Sequence, residues 1–204
     1  MASKERNVEK LFIDSNIFNF LFVSRIDLRN EFPETHFELL IVAEQDFENR
    51  AIPEKKADLK DFIYTSMNVW NVKTDRLFGF YDDRHLSDEQ RIGGFTGVIG
   101  DAGGAGRFAC LAESNFIKDE RKENEQNKRI KTGLYPDETD ISLGARAMAG
   151  SIVLTNDAKA GPLPRAYAQG GRVVFIVDYD SEVETFHDFV MRRAKRNPTD
   201  TPVQ

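Results

Sequence analysis

Four short runs of this chain are apolar along almost their whole length: Leu11-Phe12-Ile13, Phe37 to Val42, Ser151 to Thr155 and Arg172 to Val177. A strand with one wet face alternates apolar and polar residues, so runs like these require cover on both faces. Segments of helical spacing separate them. Glu54 to Trp70 carries Leu59, Phe62, Ile63, Met67 and Trp70 on one stripe, Ile141 to Ala149 ends at Gly150, and an amphipathic segment covers Ser181 to Arg196. Buried strands alternating with helices predict an α/β chain, a three-layer α/β/α sandwich around a mainly parallel sheet.

The 204 residues suffice for one domain, expected over 1–196, with an insertion over about 71–136 and a disordered tail at 197–204. The insertion is the least regular part. It includes a capped helix expected at Ser87 to Arg91, a glycine-dense stretch from Gly93 to Gly106, and a helix expected over Arg107 to Lys131. That helix begins apolar, with Cys110 expected on a buried face, and from Lys118 on is too polar to pack, so its end is expected to project into solvent. A loop is expected around Pro162 and Pro164.

Cys110 is the only cysteine, which excludes an intrachain disulfide and a cysteine-based zinc cluster. No signal-like or membrane-length apolar run is present, and the protein is expected in the cytoplasm without a membrane partner. The formal net charge of -6 does not announce nucleic-acid binding. A site that clusters carboxylates around a metal contributes negative charge itself, leaving basic residues for the rim.

Two strands end in an acid among small polar residues, Ile13-Asp14-Ser15-Asn16 and Leu154-Thr155-Asn156-Asp157. In open parallel sheets ligands bind beyond the carboxyl ends of the strands, where these acids are presented together. Asp140 opens the helix leading into the strand that ends at Asp157, so it belongs to the same edge. Glu48 follows the second strand by six residues, with Glu44 and Asp46 as competitors. Each acid also has a purely structural reading: Asp14 and Asp140 as helix caps, Asp157 as a turn former. Carboxylates forced together repel unless a cation neutralises them, and oxygen donors without paired histidines select Mg²⁺ or Mn²⁺ over zinc.

Leu11 to Ile17, Asp140 to Ala147 and Ile152 to Asp157 together resemble the PIN-domain nucleases, a family that includes the toxin ribonucleases of toxin–antitoxin pairs. The resemblance covers residues 9–65 and 137–178. It implies a metal-dependent endonuclease acting on RNA, while the metal–carboxylate chemistry by itself does not distinguish RNA from DNA. Asp14, Glu48, Asp140 and Asp157 are then metal ligands and catalytic residues, supported by Ser15, Asn16, Thr155 and Asn156. It also implies a small inhibitory partner, such as an antitoxin, and a homodimer. The alternative is a catalytically silent scaffold of the same fold that binds RNA or protein.

Basic residues for phosphate contact are Arg146, one to two turns after Asp140, and the cluster Arg192, Arg193, Lys195 and Arg196. Gly100 to Gly106 ahead of a helix loosely echoes a phosphate-binding loop, but no Gly-Lys-Ser or Gly-Lys-Thr follows. A phosphatase with Asp14 as nucleophile needs an acid two residues on, where Asn16 stands. His36, His85 and His187 are isolated in sequence and receive no role.

Overall fold

The computed structural model describes residues 8–78, 107–124 and 137–195. In chain order these form β1 (Glu9–Ile13), α1 (Ser15–Ser24), α2 (Leu28–Glu31), β2 (Phe37–Val42), α3 (Glu44–Arg50) and α4 (Ala57–Val69). Then come β3 (Lys73–Asp75), β4 (Leu77–Phe78), β5 (Arg107–Phe108), α5 (Leu111–Asn124), α6 (Glu138–Met148), β6 (Ile152–Thr155), α7 (Pro162–Ala168), β7 (Val173–Phe175) and α8 (Phe186–Ala194). The central sheet runs β3-β2-β1-β6-β7 with every pair parallel.

Successive strand residues point to opposite faces, and both faces are apolar, so the sheet builds two cores. Leu11, Ile13, Leu39, Ile41, Ile152 and Leu154 pack with Ile17, Phe18, Trp70, Phe186 and Phe189 from α1, α4 and α8 and the turn after α4. Phe12, Leu40, Val42, Val153 and Val173 pack against Phe116, Ile141, Leu143 and Ala166 from α5, α6 and α7. The result is the expected three-layer α/β/α sandwich. Among the described residues no helix is long and apolar enough to cross a membrane.

Several local expectations are corrected. Pro162 starts α7 rather than a loop, because proline at the first helical position loses no internal hydrogen bond. β7 stops at Phe175, and α8 begins only after Thr185, whose hydroxyl accepts from the Asp188 amide. β3, hidden in the irregular segment, is an edge strand and tolerates Lys73 and Asp75 where a central strand would not. Arg107 and Phe108 are extended, so the expected helix starts at Leu111 and leaves Cys110 exposed ahead of it. Within the described part of the charged stretch two side chains dock: Glu120 is buried and pairs with Arg165, and Arg121 pairs with Glu138 at 2.8 Å, while the end expected to project lies outside the described residues. The expected features at 79–106, 125–136 and 196–204, including the helix at Ser87, the glycine-rich stretch, His85, Arg196 and the tail, lie outside the described residues.

A buried ion network ties the insertion to the sheet. Asp75, at the carboxyl end of β3, accepts from Arg146 Nε at 2.8 Å and from Arg107 Nε at 2.9 Å, and Arg107 also pairs with Glu113. Burial pushes Asp75 up, but Arg107 and Arg146 outweigh it and hold the carboxyl below its ordinary value. Glu113 behaves likewise, held down chiefly by Arg107 against its own burial.

Candidate active site

Asp14 is 5 % exposed at the tip of β1. It occupies the N-cap of α1, yet its side chain makes no capping bond to that helix. Its Oδ2 instead accepts from Thr155 Oγ1 at 2.7 Å and Asn16 Nδ2 at 2.6 Å. Those bonds lock the ends of β1 and β6 together, with Asn16 Oδ1 also accepting from the Asn156 amide at 2.7 Å. Burial pushes Asp14 up to about 6, aided by the charge of Glu48 and opposed most strongly by the Thr155 hydrogen bond.

Glu48 is reached from two elements at once. Ser15 Oγ donates to its Oε2 at 2.7 Å and Thr139 Oγ1 to its Oε1 at 2.7 Å, joining α1, α3 and the start of α6 through one carboxylate. Of the three acids of α3, Glu48 is the one whose charge acts on Asp14 and Asp140, whereas Asp46 lies towards Arg76 and Arg50 and Glu44 is buried. Asp157 is half-buried after β6; its backbone amide donates to Thr155 Oγ1 at 3.0 Å and its carboxylate accepts from the Lys159 amide at 3.0 Å. That second bond is the turn-forming role the sequence allowed for.

Asp140 sits in the first turn of α6, half-buried, and among the described residues its carboxylate accepts no hydrogen bond. Capping therefore does not explain it. Burial pushes Asp140 up to about 7, and Asp14, Asp137, Glu48 and Asp157 all add to the rise. All four sequence candidates thus share one electrostatic environment. They do not form a closed cage: among the described residues no three His, Cys, Asp or Glu side chains are placed to hold a metal ion together. Three of the four are held by hydroxyl and amide donors belonging to the protein.

Two supports were not apparent from sequence. Gln45 is fully buried, accepts from the Val42 amide at 3.0 Å, and donates to the Ile13 carbonyl at 2.7 Å and Ser15 Oγ at 3.3 Å, bracing β1 against β2 beneath the acids. Thr139 reads as part of a helix start but serves as a Glu48 donor. A polar residue three positions beyond a buried strand, and a hydroxyl one position before a candidate ligand, were the available signals.

The proposed phosphate contacts are corrected. Arg146 is 1 % exposed and committed to Asp75 and the Ser142 carbonyl, so it faces no solvent phosphate. Arg192 pairs with Glu184 and Arg193 with Asp178, and both guanidinium groups lie over Phe189. Arg172, just before β7, donates to the Ala194 carbonyl at 3.3 Å. The end of α8, with Lys195, therefore lies at the amino edge of the sheet, opposite the acids.

Fold and site together define a parallel α/β protein with an acid-rich carboxyl edge. No protein-family model matches the chain, and no curated protein is significantly similar to it.

Proposed function

We propose that this protein is a divalent-metal-dependent nuclease of the PIN kind, cutting RNA phosphodiesters with Asp14, Glu48, Asp140 and Asp157. The observation that carries the reading is Asp140: its carboxylate accepts no hydrogen bond among the described residues and is set among four other acids, Asp14, Asp137, Glu48 and Asp157. An all-carboxylate donor set fits a hard cation such as Mg²⁺ or Mn²⁺. Bound by these acids, such an ion neutralises them and supplies Lewis-acid chemistry at a phosphodiester.

The chain's own residues do the positioning. Thr155 and Asn16 fix which oxygen of Asp14 is occupied and leave Oδ1 without a side-chain donor. Ser15 from α1 and Thr139 from α6 each hold one oxygen of Glu48, and Gln45 donates to Ser15. Buried Asp14 and half-buried Asp140 stand in a poorly solvated setting where charge–charge terms are larger than in water.

The competing reading is a silent scaffold, favoured by the absence of a ready-made three-acid cage among the described residues. Cleavage of a labelled single-stranded RNA separates the two. The nuclease is expected to cut with Mg²⁺ or Mn²⁺, stop with EDTA, and lose at least about a thousandfold in rate in Asp14→Asn or Asp157→Asn that melt normally. Metal-independent binding with no cutting supports the scaffold. Single-stranded DNA is the second substrate to assay, since the same chemistry attacks a phosphodiester on either sugar. A toxin role under an antitoxin follows from the same resemblance; growth arrest on expression, relieved by Asp14→Ala, tests it.

A further inference from the structure

The helix that carries Asp140 starts without the usual side-chain lock. Asp137, at the N-cap of α6, stands in the left-handed region at φ 63° and makes no capping hydrogen bond through its side chain. The next residue, Glu138, is 6 % exposed, and its Oε2 accepts from Arg121 Nη2 of α5 at 2.8 Å. Thr139 then donates to Glu48, and Asp140 comes after it. Three consecutive residues of one turn are thus tied in succession to α5, to Glu48 and to the acid cluster.

The helix that supplies Arg121 is itself firmly seated. Gly144, one turn beyond Asp140, lets the Phe116 ring of α5 lie so close to α6 that a Cβ there would stand 2.6 Å from Phe116 Cε1. Glu120 ties α5 to α7, accepting from Arg165 Nε at 2.8 Å, and Glu113 ties its first turn to Arg107. The Arg121 guanidinium therefore reaches Glu138 from a fixed base.

We propose that Arg121 is a positioning residue of the acid site: by holding Glu138 it fixes the first turn of α6, and through that turn the places of Thr139 and Asp140. The inserted segment then helps to build the site from outside the sheet. For its effect on metal the proposal rests on the nuclease reading; for its effect on α6 it does not. Positioning and plain electrostatics predict opposite signs. Removing a cation near a cluster of carboxylates strengthens their pull on a divalent ion, whereas letting the turn that carries Asp140 move weakens binding.

The test compares Arg121→Gln with Arg165→Gln in the full chain. The second variant cuts the tether of α5 to α7, a helix that carries none of the four acids. Mn²⁺ affinity, read by the loss of the free-ion paramagnetic resonance signal, is expected to fall about tenfold in Arg121→Gln and to stay at the parent value in Arg165→Gln. In EDTA the Ile141 amide, which donates to the Asp137 carbonyl at 2.8 Å, is expected to exchange its hydrogen about tenfold faster in Arg121→Gln and at the parent rate in Arg165→Gln. Arg121→Lys, which keeps the charge and one donor for Glu138, is expected to restore both readouts. Mn²⁺ binding in Arg121→Gln as tight as the parent's or tighter, an unchanged Ile141 exchange rate, or equal losses in Arg165→Gln overturns the proposal. If the unaltered protein takes up no Mn²⁺, the nuclease reading falls and the exchange rates alone decide this one.

Discussion

Asp140→Asn is expected to abolish metal-dependent cleavage and, in metal-free buffer, to make the protein more stable. The two effects have one origin. A carboxyl whose folded pKa lies above its unfolded value binds more protons when folded, so it opposes folding above that pKa and the opposition relaxes as pH falls. Asp140, pushed from 3.8 to about 7, and Asp14, pushed to about 6, both act this way. Metal-free stability should therefore rise as pH falls from about 7 towards 5. It should fall again at lower pH, as Asp75 and Glu113, held below their ordinary values, are forced to protonate. Asn at 140 removes the largest part of the upper slope. Discounted for partial exposure, the gain at neutral pH is on the order of 2 kcal/mol, roughly 4–8 °C in melting temperature for a chain of this size. Thermal melts in EDTA from pH 4 to 8 check it. A variant that loses both stability and activity would show Asp140 to be structural.

Arg146→Ala is expected to cost about 3–5 kcal/mol, the usual consequence of leaving a buried charge without its partner. Asp75 would keep Arg107 but lose the 2.8 Å bond that joins α6 to the edge of the sheet. Urea denaturation measures the loss. Double-mutant analysis with Asp75→Asn locates it: a coupling energy near zero would mean that Arg146 matters only for its packing volume. Because Arg146 touches none of the four acids, residual cleavage per folded molecule should be close to normal.

The central fold was legible because its strands are apolar on both faces, a pattern that solvated sheets do not carry. Leu11-Phe12-Ile13 and Ile152-Val153-Leu154 could not be placed at a sheet surface, and in the structure their alternate side chains enter two separate cores. β3 was illegible for the opposite reason: three residues at an edge, two of them charged, hold no hydrophobic pattern. Asp14, Asp140 and Asp157 could be assigned to one edge because topology alone puts strand ends and the following helix starts there. Glu48 was only one of three acids on α3, and what distinguishes it is the pair of hydroxyls from Ser15 and Thr139, which sequence separation hides. The arginines misled because a basic residue looks the same in sequence whether it faces phosphate or a buried acid. Arg146 is on an apolar helix face, and that was the sign of its burial.

The central claim is that the four acids hold one or more divalent ions, and titration of the metal-free protein with Mn²⁺, read by the loss of the free-ion electron paramagnetic resonance signal, tests it most directly. Saturable binding is expected in the unaltered protein, with Mg²⁺ competing. It should be lost in Asp14→Asn and Asp140→Asn and retained in Arg192→Gln. A protein that leaves Mn²⁺ free into the millimolar range, or variants that bind it as well as the parent, would contradict the claim.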